Sequence, residues 1–502
     1  MKNTILIYLC CTFIAFAWTG VAVVNAEGDT LDSIVVSDGQ HSVFKPPCLL
    51  AVENNIIVES GGLLEIHTSR LSVGGDILVK RGGKIALVGA KLHIEGIFRI
   101  AGDLSCRSVE QTSDESSTPS LFVLSEGSSM ELYNCAFRLS KPGALISGQS
   151  KSVKIADSVF PVFGNGLLLD VDCMKVHILR SIVRSSAKQP DDRQLQHNER
   201  TAFMVIRGGN VEIDDVSFEL DNVASELVWT DRCGNVDITN CVFSVGLGHQ
   251  SRKGVCIRLT ETGHVKISRN VFSAVRTSST VVAKTFREAE IKGNVFAGVS
   301  ADELISLWGE SASISDNRFS RNILKILLTA KTVRTRFTRN SVSHCVLDRM
   351  LLLFSENAVI EGNLIEANQG QRNVNRKRPY LLGQNEEVNS SIDCLMLIHT
   401  MGSEPTLSYS GNHLLNNELI ECYIHLVRIT HLMDLFDDFS QNKHEGNDFG
   451  LLINYEWMKK RDGDPYKVKD NLEARAKELR KMLQAHNAVQ KAIRISKFSL
   501  LK

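Results

Sequence analysis

Hydrophobic and polar positions follow an eight-residue phrase that recurs through the middle of the chain. The phrase has apolar residues at positions one and three, a small residue or Asn at position six, and Phe or a large aliphatic residue at position eight. Its instances are 130–137, 153–160, 176–183, 211–218, 236–243, 265–272, 289–296, 312–319, 335–342, 358–365 and 407–414. Where no loop is inserted, successive phrases begin about 23 residues apart, a period typical of repeat proteins such as solenoids.

The alternation inside each phrase predicts a β-strand, because positions one and three of a strand share a face. A second short apolar run precedes most phrases, as at 203–206, 304–307 and 350–354. Two or three short strands per repeat are too few for a four-stranded propeller blade, and helical spacing is absent. The pattern therefore predicts a right-handed parallel β-helix.

The sixth position predicts a ladder at one corner of the stacked turns. Asn tolerates the left-handed turn conformation, and its amide can bond to the equivalent amide in the next turn. The predicted ladder consists of Asn270, Asn294, Asn317, Asn340, Asn363 and Asn412. The eighth position predicts a buried stack of Phe137, Phe160, Phe218, Phe243, Phe272, Phe296 and Phe319.

The N-terminal section repeats with a shorter period. Leu50, Leu71 and Leu92 lie 21 residues apart, and Gly-Gly pairs at 61–62 and 82–83 occupy equivalent points of successive repeats. Glycine suits a sharp turn that has no room for a side chain. We predict that turns of 21 residues extend to about residue 105 and are followed by turns of about 23.

These motifs resemble two groups of proteins. The Val-x-Ile-x-x-Asn-x-Phe pattern over roughly 130–430 resembles the pectin-lyase-like superfamily, which implies the right-handed parallel β-helix fold but not one function. The Gly-Gly-punctuated N-terminal repeats loosely resemble animal extracellular proteins of the bark beetle type.

The chain ends predict export and a separate C-terminal segment. Residues 1–26 have the positive start, apolar centre and small residues of a cleaved signal peptide, and no later stretch could cross a bilayer. Residues 27–455 are the predicted β-helix, and Asn389 lies in a glycosylation sequon. Residues 456–502 predict a basic segment with an α-helix that caps the solenoid; the alternative is a basic amphipathic surface for membranes, acidic glycans or a partner. The localisation predicted is therefore secreted and extracellular.

Charge and cysteine content limit the choice of partners. The formal net charge is zero, which argues against a dedicated nucleic-acid binder. Residues 459–502 nevertheless contain 13 basic and 5 acidic residues, a net charge of +8. Ten cysteines follow the predicted signal peptide without a Cys-x-x-Cys motif, so cysteines at inward positions are interpreted mainly as apolar filler.

One stretch resembles the polygalacturonases, which hydrolyse pectin. The order of Trp229-Thr230-Asp231, residues 235–241, Gly248-His249 and Ile257-Arg258 follows that family's motifs. Where the family has an adjacent Asp pair, however, this chain has Ser-Val-Gly-Leu-Gly at 244–248. Because inverting hydrolysis needs two carboxylates, the departure argues against catalysis here.

The remaining acids leave an enzyme as the alternative. A polysaccharide lyase, glycoside hydrolase or epimerase acting on acidic polysaccharide would need acids and a base to converge, with Ca²⁺ as a cofactor in a lyase. The candidates are Asp191, Asp192, Asp214, Asp215, Asp231, His249 and Arg258. No metal-ligand spacing is present, and no cofactor is otherwise expected.

Basic residues near the outward face of successive turns predict a binding surface instead. They are Lys266, Arg269, Lys292, Arg336 and Arg339, and such a stripe attracts acidic glycans whether or not a bond is cut. We therefore expect a secreted non-catalytic protein that binds carbohydrate or extracellular matrix, or serves as an adhesion or surface scaffold. The expected partner is a polysaccharide, another glycan or an extracellular protein.

Overall fold

The computed structural model describes residues 21–24, 30–45, 49–111, 120–138, 143–162, 166–185, 202–223, 226–247, 254–370, 394–400, 406–417, 420–426, 441–445, 451–457 and 494–500. Every regular element within these residues is a β-strand, and none is a helix. No helix that could cross a membrane occurs in this part of the chain. The predicted all-β solenoid is confirmed, whereas the helix predicted near the C-terminus lies outside the described residues.

The chain divides into two compact units, residues 1–237 and 238–502. The first strands of unit 1 are β1 (Val21–Val24), β2 (Thr30–Leu31), β3 (Ile34–Val36), β4 (His41–Phe44), β5 (Leu49–Val52), β6 (Ile56–Val58), β7 (Leu63–His67), β8 (Arg70–Val73), β9 (Ile77–Val79), β10 (Lys84–Val88), β11 (Lys91–Ile94), β12 (Phe98–Ile100), β13 (Asp103–Arg107) and β14 (Glu110–Gln111). They are followed by β15 (Phe122–Leu124), β16 (Ser129–Tyr133), β17 (Gly143–Ser150), β18 (Ser152–Ala156), β19 (Val159–Val162), β20 (Gly166–Cys173), β21 (Lys175–Leu179), β22 (Ile182–Ser185), β23 (Ala202–Arg207), β24 (Asn210–Asp214), β25 (Ser217–Val223) and β26 (Glu226–Asp231). The division falls within β27 (Asn235–Thr239).

Unit 2 contains several much longer strands. Its first strands are β28 (Val242–Leu247), β29 (Val255–Ser268), β30 (Val271–Ser273), β31 (Ser279–Lys292), β32 (Val295–Ala297), β33 (Ser300–Ser315), β34 (Arg318–Ser320), β35 (Ile323–Thr338), β36 (Ser341–Ser343), β37 (Val346–Glu361) and β38 (Leu364–Glu366). The remaining strands are β39 (Cys394–Thr400), β40 (Thr406–Ser410), β41 (His413–Leu415), β42 (Ile420–Leu426), β43 (Lys443–Glu445), β44 (Leu451–Trp457) and β45 (Arg494–Leu500).

Three ladders of parallel strands build unit 1. The first contains β3, β6, β9, β12, β15, β17, β20, β23 and β26. The second contains β1, β4, β7, β10, β13, β16, β18, β21 and β24. The third contains β2, β5, β8, β11 and β14, with β19, β22 and β25 after them. Successive strands of a ladder thus come from successive turns of the solenoid. Alternate side chains of these strands are buried in the interior.

Unit 2 has a long sheet and a short sheet. Strands β29, β31, β33, β35 and β37 pair in parallel along the long sheet, after which β37 pairs with both β39 and β40. The short sheet continues in parallel from β28 through β30, β32, β34, β36, β38 and β41 to β43. All seven predicted phenylalanines are fully buried, as the eighth position of the phrase predicts.

The asparagine ladder is present, but its conformational basis differs from the prediction. The backbone N–H of Asn294 donates to Asn317 Oδ1 at 2.9 Å, and Asn294 Nδ2 donates to the same oxygen at 2.9 Å. The left-handed backbone lies one residue earlier, for example at Arg269, Asp316 and Arg339, whose φ angles are 57°, 58° and 53°. The expectation that Asn itself takes this conformation was wrong. Asn is required for its amide group, which bonds between turns.

Glycine fits the N-terminal turns for two different reasons. Gly61 and Gly82 have φ angles of +74° and +81°, in the left-handed region. A Cβ at Gly83 would lie 2.6 Å from the carbonyl oxygen of Glu59 in the preceding turn. Both the conformation and the close approach of the turns therefore select the Gly-Gly pair.

The predicted terminal segments are described only in part. Residues 21–24 of the predicted signal peptide form β1, and residues 1–20 lie outside the described residues. In the predicted C-terminal segment, residues 456–457 end β44 and 494–500 form β45. Asn389 also lies outside the described residues.

Candidate functional site

The predicted catalytic acids do not lie together on one ladder. Asp214 ends β24, and Asp215 follows it at a corner with a φ of 55°. Asp231 ends β26, which belongs to a different ladder of unit 1. Asp191, Asp192 and His249 lie outside the described residues. Among the described acids, the adjacent pair at 214–215 therefore follows a different ladder from the one that carries Asp231.

Asp231 has other polar neighbours, which the sequence did not single out. In register, Asp172 lies opposite Arg207, and Arg207 lies opposite Asp231. Arg207 Nη1 donates to Asp170 Oδ1 at 2.7 Å, and Arg232 Nε donates to Asp231 Oδ2 at 3.1 Å. We call Asp170, Asp172, Arg207 and Asp231 the unit 1 polar face.

The unit 1 polar face lies beside a buried indole nitrogen. Trp229 is two residues before Asp231 on β26, in register with Val205. Its Nε1 atom is buried and has no hydrogen-bond partner within the part of the chain that the structure describes.

Of the polar face residues, Asp172 and Arg207 are separated in sequence by the polar segment 186–201. Because of that insertion, no fixed sequence spacing relates the two residues.

The predicted basic stripe divides among several positions. Lys266 and Arg336 share one register column, with Glu290 and Ser313 between them. Lys292 lies in another column, between Ser268 and Ser315. Acidic or hydroxyl side chains thus separate the basic residues within these columns, and the five residues do not form a continuous row of cations.

Two residues of the predicted stripe instead hold neighbouring turns together at a corner. Arg269 Nε donates to Asn240 Oδ1 at 2.8 Å. Arg339 donates to both carboxylate oxygens of Asp316, at 2.8 and 2.9 Å. The hydrogen bond from Arg339 lowers the pKa of Asp316 from its ordinary value and raises that of Arg339. Each of these guanidinium groups therefore uses some of its five N–H donors within the protein.

A different column of unit 2 presents an exposed aromatic residue between two lysines. In register, Lys284 of β31 lies opposite Trp308 of β33, which lies opposite Lys331 of β35. Phe354 of β37 follows Lys331. We call Lys284, Trp308, Lys331 and Phe354 the lysine–tryptophan column. Lys284 Nζ lies 4.3 Å from the centre of the Trp308 ring, a cation–π distance, and 45% of Trp308 is exposed.

The register column two residues earlier on β31, β33 and β35 is closely packed. Val282, Ser306 and Thr329 occupy it, and all three are buried. Thr329 Oγ1 donates to Glu303 Oε1 at 2.5 Å. Arg258, a predicted catalytic candidate, lies opposite Val282 in this column. The lysine–tryptophan column thus lies on a rigid sheet and beside one of the predicted basic residues.

This column was not predicted, because its residues lie outside the eight-residue phrase. They belong to the second apolar run of each turn, in which a polar or aromatic residue follows the inward Ala283, Leu307 and Ala330. Aligning those runs at their 23- and 24-residue steps would have placed the two lysines and the tryptophan in one column.

The described residues do not fit a metal ion. No group of three or more His, Cys, Asp or Glu side chains among them has a suitable arrangement. The Ca²⁺ that a lyase would use therefore has no ligand set among the described residues.

Seven cysteines among the described residues are buried. They are Cys106, Cys135, Cys173, Cys233, Cys241, Cys256 and Cys345. Burial raises the pKa of Cys233 to about 11 and also raises those of Cys106 and Cys256. A nucleophilic thiol needs the opposite shift, so these three side chains act as packing.

Comparison with known proteins identifies the fold of one region. Residues 254–449 match the family model described as a right handed beta helix region. A search of curated proteins found no match, and neither did a search of solved structures.

Proposed function

Since the chain contains a right-handed β-helix region, we propose that the protein is a secreted, non-catalytic scaffold that binds carbohydrate of the extracellular matrix. The lysine–tryptophan column is the proposed binding surface. The observation on which this proposal depends is the exposed Trp308 on a rigid parallel sheet, with a lysine in register on each side.

An exposed tryptophan in this position suits sugar binding. The faces of sugar rings carry C–H groups that pack on an indole, while their hydroxyl groups accept hydrogen bonds from lysine. Because Lys284 already lies against the ring, the pair is held in place before a ligand arrives. The parallel hydrogen bonds of β31, β33 and β35 fix the backbone beneath it.

The column itself favours binding over bond cleavage. Its members from β31 to β37 are two lysines, a tryptophan and a phenylalanine, and none is a carboxylate. Hydrolysis of a glycosidic bond ordinarily uses a pair of carboxyl groups. A ligand held on these side chains would therefore remain intact.

Truncation of the tryptophan tests the proposal. We expect Trp308→Ala to weaken binding to polysaccharide by about tenfold, or about 1.4 kcal/mol, because the cation–π pair and the stacking surface are lost. The matched control is Tyr133→Ala in unit 1, since Tyr133 is also an exposed aromatic residue on a ladder. Affinity is measured against a panel of immobilised polysaccharides. Equal losses in the two variants, or none in Trp308→Ala, would rule out this surface.

The unit 1 polar face supports a second candidate, an enzyme that acts on polysaccharide. The backbones of Asp172 and Asp231 are separated by two strand spacings, about 9.6 Å along the ladder, and inverting hydrolases place their carboxyl groups about 6.5–9.5 Å apart. Arg207 lies between them in register, and an acidic sugar would compete with Asp170 for its guanidinium group. Incubation with uronic-acid polysaccharides, followed by mass spectrometry, tests this candidate. New oligosaccharides that disappear in both Asp172→Asn and Asp231→Asn would favour the enzyme over the scaffold.

Export and a capped C-terminus complete the proposal. Cleavage after Ala26 would remove β1, and Asn389 would carry a glycan. A helix within 456–502 would cover the last turn with its apolar face and leave its basic face to solvent. The N-terminal sequence and glycan mass of the secreted protein test the first two points, and circular dichroism of the full chain with and without this segment tests the third.

A further inference from the structure

We propose that the ligand of the lysine–tryptophan column is an anionic polysaccharide in which charged and uncharged sugars alternate, and that it crosses the turns of unit 2. This inference rests on the proposed carbohydrate-binding function and specifies its substrate class. It follows from the order Lys284, Trp308, Lys331 in one register column.

Neither lysine has an acidic partner among the residues that the structure describes. Among the described residues, neither Lys284 nor Lys331 is in an ion pair, and the recorded partner of Lys284 is the Trp308 ring. On the same strand as Lys331, by contrast, Lys325 Nζ lies 2.7 Å from Asp302 Oδ1. The column therefore presents two ammonium groups that no described carboxylate neutralises, and one of them lies against the Trp308 ring.

Register determines the direction of the ligand. Neighbouring strands are about 4.8 Å apart, so the backbones of Lys284 and Lys331 are separated by about 9.6 Å, with the backbone of Trp308 midway. A ligand that follows a single strand would meet only one member of the column. A ligand that contacts both lysines must cross β31, β33 and β35.

The spacing also selects a charge pattern. One pyranose ring of an extended polysaccharide advances a distance close to one strand spacing, so two strand spacings correspond to two rings. A polymer with a carboxylate on every second sugar would place one carboxylate at each lysine. Because Lys284 Nζ lies against one part of the Trp308 ring, the intervening uncharged sugar would pack its C–H groups on the part of the indole that stays exposed.

The experiment uses oligosaccharides of defined length and charge with the full chain. Hyaluronan fragments supply alternating uronic acid and neutral sugar, oligogalacturonates supply a charge on every sugar, and cello-oligosaccharides are neutral. Calorimetry at about 50 and about 300 mM salt separates electrostatic from neutral binding. We expect hyaluronan fragments of three or more sugars to bind best, and binding to weaken as salt rises.

Lysine-to-glutamine variants test which ammonium groups bind the ligand. We expect the double variant Lys284→Gln/Lys331→Gln to lower hyaluronan affinity by about tenfold or more, whereas the matched control Lys325→Gln leaves it unchanged. Lys331→Gln should affect a hexasaccharide more than a disaccharide, since only the longer ligand reaches both lysines.

The outcomes distinguish this inference from the function on which it rests. Salt-independent binding of neutral oligosaccharides that is lost in Trp308→Ala would overturn the inference and retain the function. Tighter binding of oligogalacturonate, or equal effects of Lys331→Gln on both fragment lengths, would overturn the alternating pattern or the direction. Failure of every glycan to bind would overturn both proposals.

Discussion

The corners of the two units use the same position of the repeat with different side chains. In unit 2, each asparagine of the ladder both accepts and donates between turns; Asn317 Nδ2 bonds to Ile291 O at 2.8 Å and to Asn340 Oδ1 at 3.0 Å. In unit 1 the equivalent Ser158 accepts from the backbone of Cys135 at 3.1 Å and donates within its own turn, to Ala156 O. A hydroxyl is sufficient to satisfy the corner, and an amide adds a bond to the next turn.

The interior stacks differ in the same sense. Phe243, Phe272, Phe296 and Phe319 of unit 2 stack with ring centres 4.6 to 5.0 Å apart and nearly parallel planes. In unit 1, Val183 lies between Phe160 and Phe218 in the corresponding ladder. Unit 2 therefore repeats its interior and corner more regularly, and we expect substitutions there to be more destabilising.

The largest expected effect is that of removing a ring from the stack. Phe296→Ala should lower the free energy of unfolding by about 3–5 kcal/mol, because Phe296 is fully buried and contacts a ring on each side. Phe160 in unit 1 has Val183 rather than a ring on one side. Phe160→Ala should therefore lower the free energy of unfolding by about 0.5–1.5 kcal/mol less than Phe296→Ala does. Denaturant unfolding followed by circular dichroism measures both. Equal losses would remove the stack as a difference between the units.

Breaking the asparagine ladder should have the next largest effect. Asn317→Leu removes the acceptor of Asn294 and two donated bonds, leaving buried polar groups unsatisfied at a cost of about 2–4 kcal/mol. Ser158→Ala in unit 1 removes the acceptor of one backbone N–H and should cost about 1–2 kcal/mol. Thermal unfolding compares the two variants. An unchanged melting temperature in Asn317→Leu would contradict the role assigned to the ladder.

The smallest expected effect concerns the exposed ion pair at the corner of unit 2. Arg339 holds the pKa of Asp316 below its ordinary value of 3.8, so the pair stabilises the folded protein above that pH and stops doing so as pH falls through the lowered pKa. Arg339→Gln should therefore lower the melting temperature slightly at neutral pH. The difference from the unsubstituted protein should disappear in strong acid. A difference that persists below the lowered pKa would show that Arg339 acts through packing.

A second corner ladder shows how far the repeat pattern can be extended. The backbone N–H of Asn368 donates to Asn417 Oδ1 at 3.1 Å, and that of Cys345 donates to Asn368 Oδ1 at 3.0 Å. Val299 donates in the same way to Asn322 Oδ1 at 2.9 Å. Each of these asparagines lies five residues after a member of the predicted ladder. The sequence contains this five-residue spacing, but valine or cysteine stands in place of the second asparagine in other turns, so the second ladder is hard to recognise from the sequence.

The sequence by itself determined the repeat, the strands, the buried phenylalanines and the first asparagine ladder. These features depend on local spacing, which a strand period of two and a constant turn length convert directly into position. The surfaces were decided by tertiary structure. Lys284 meets Trp308, and Asp172 meets Arg207 across an inserted segment, only because hydrogen bonding between turns sets the register. Turns differ in length because their loops differ. Pairing of the strands therefore determines which outward side chains become neighbours.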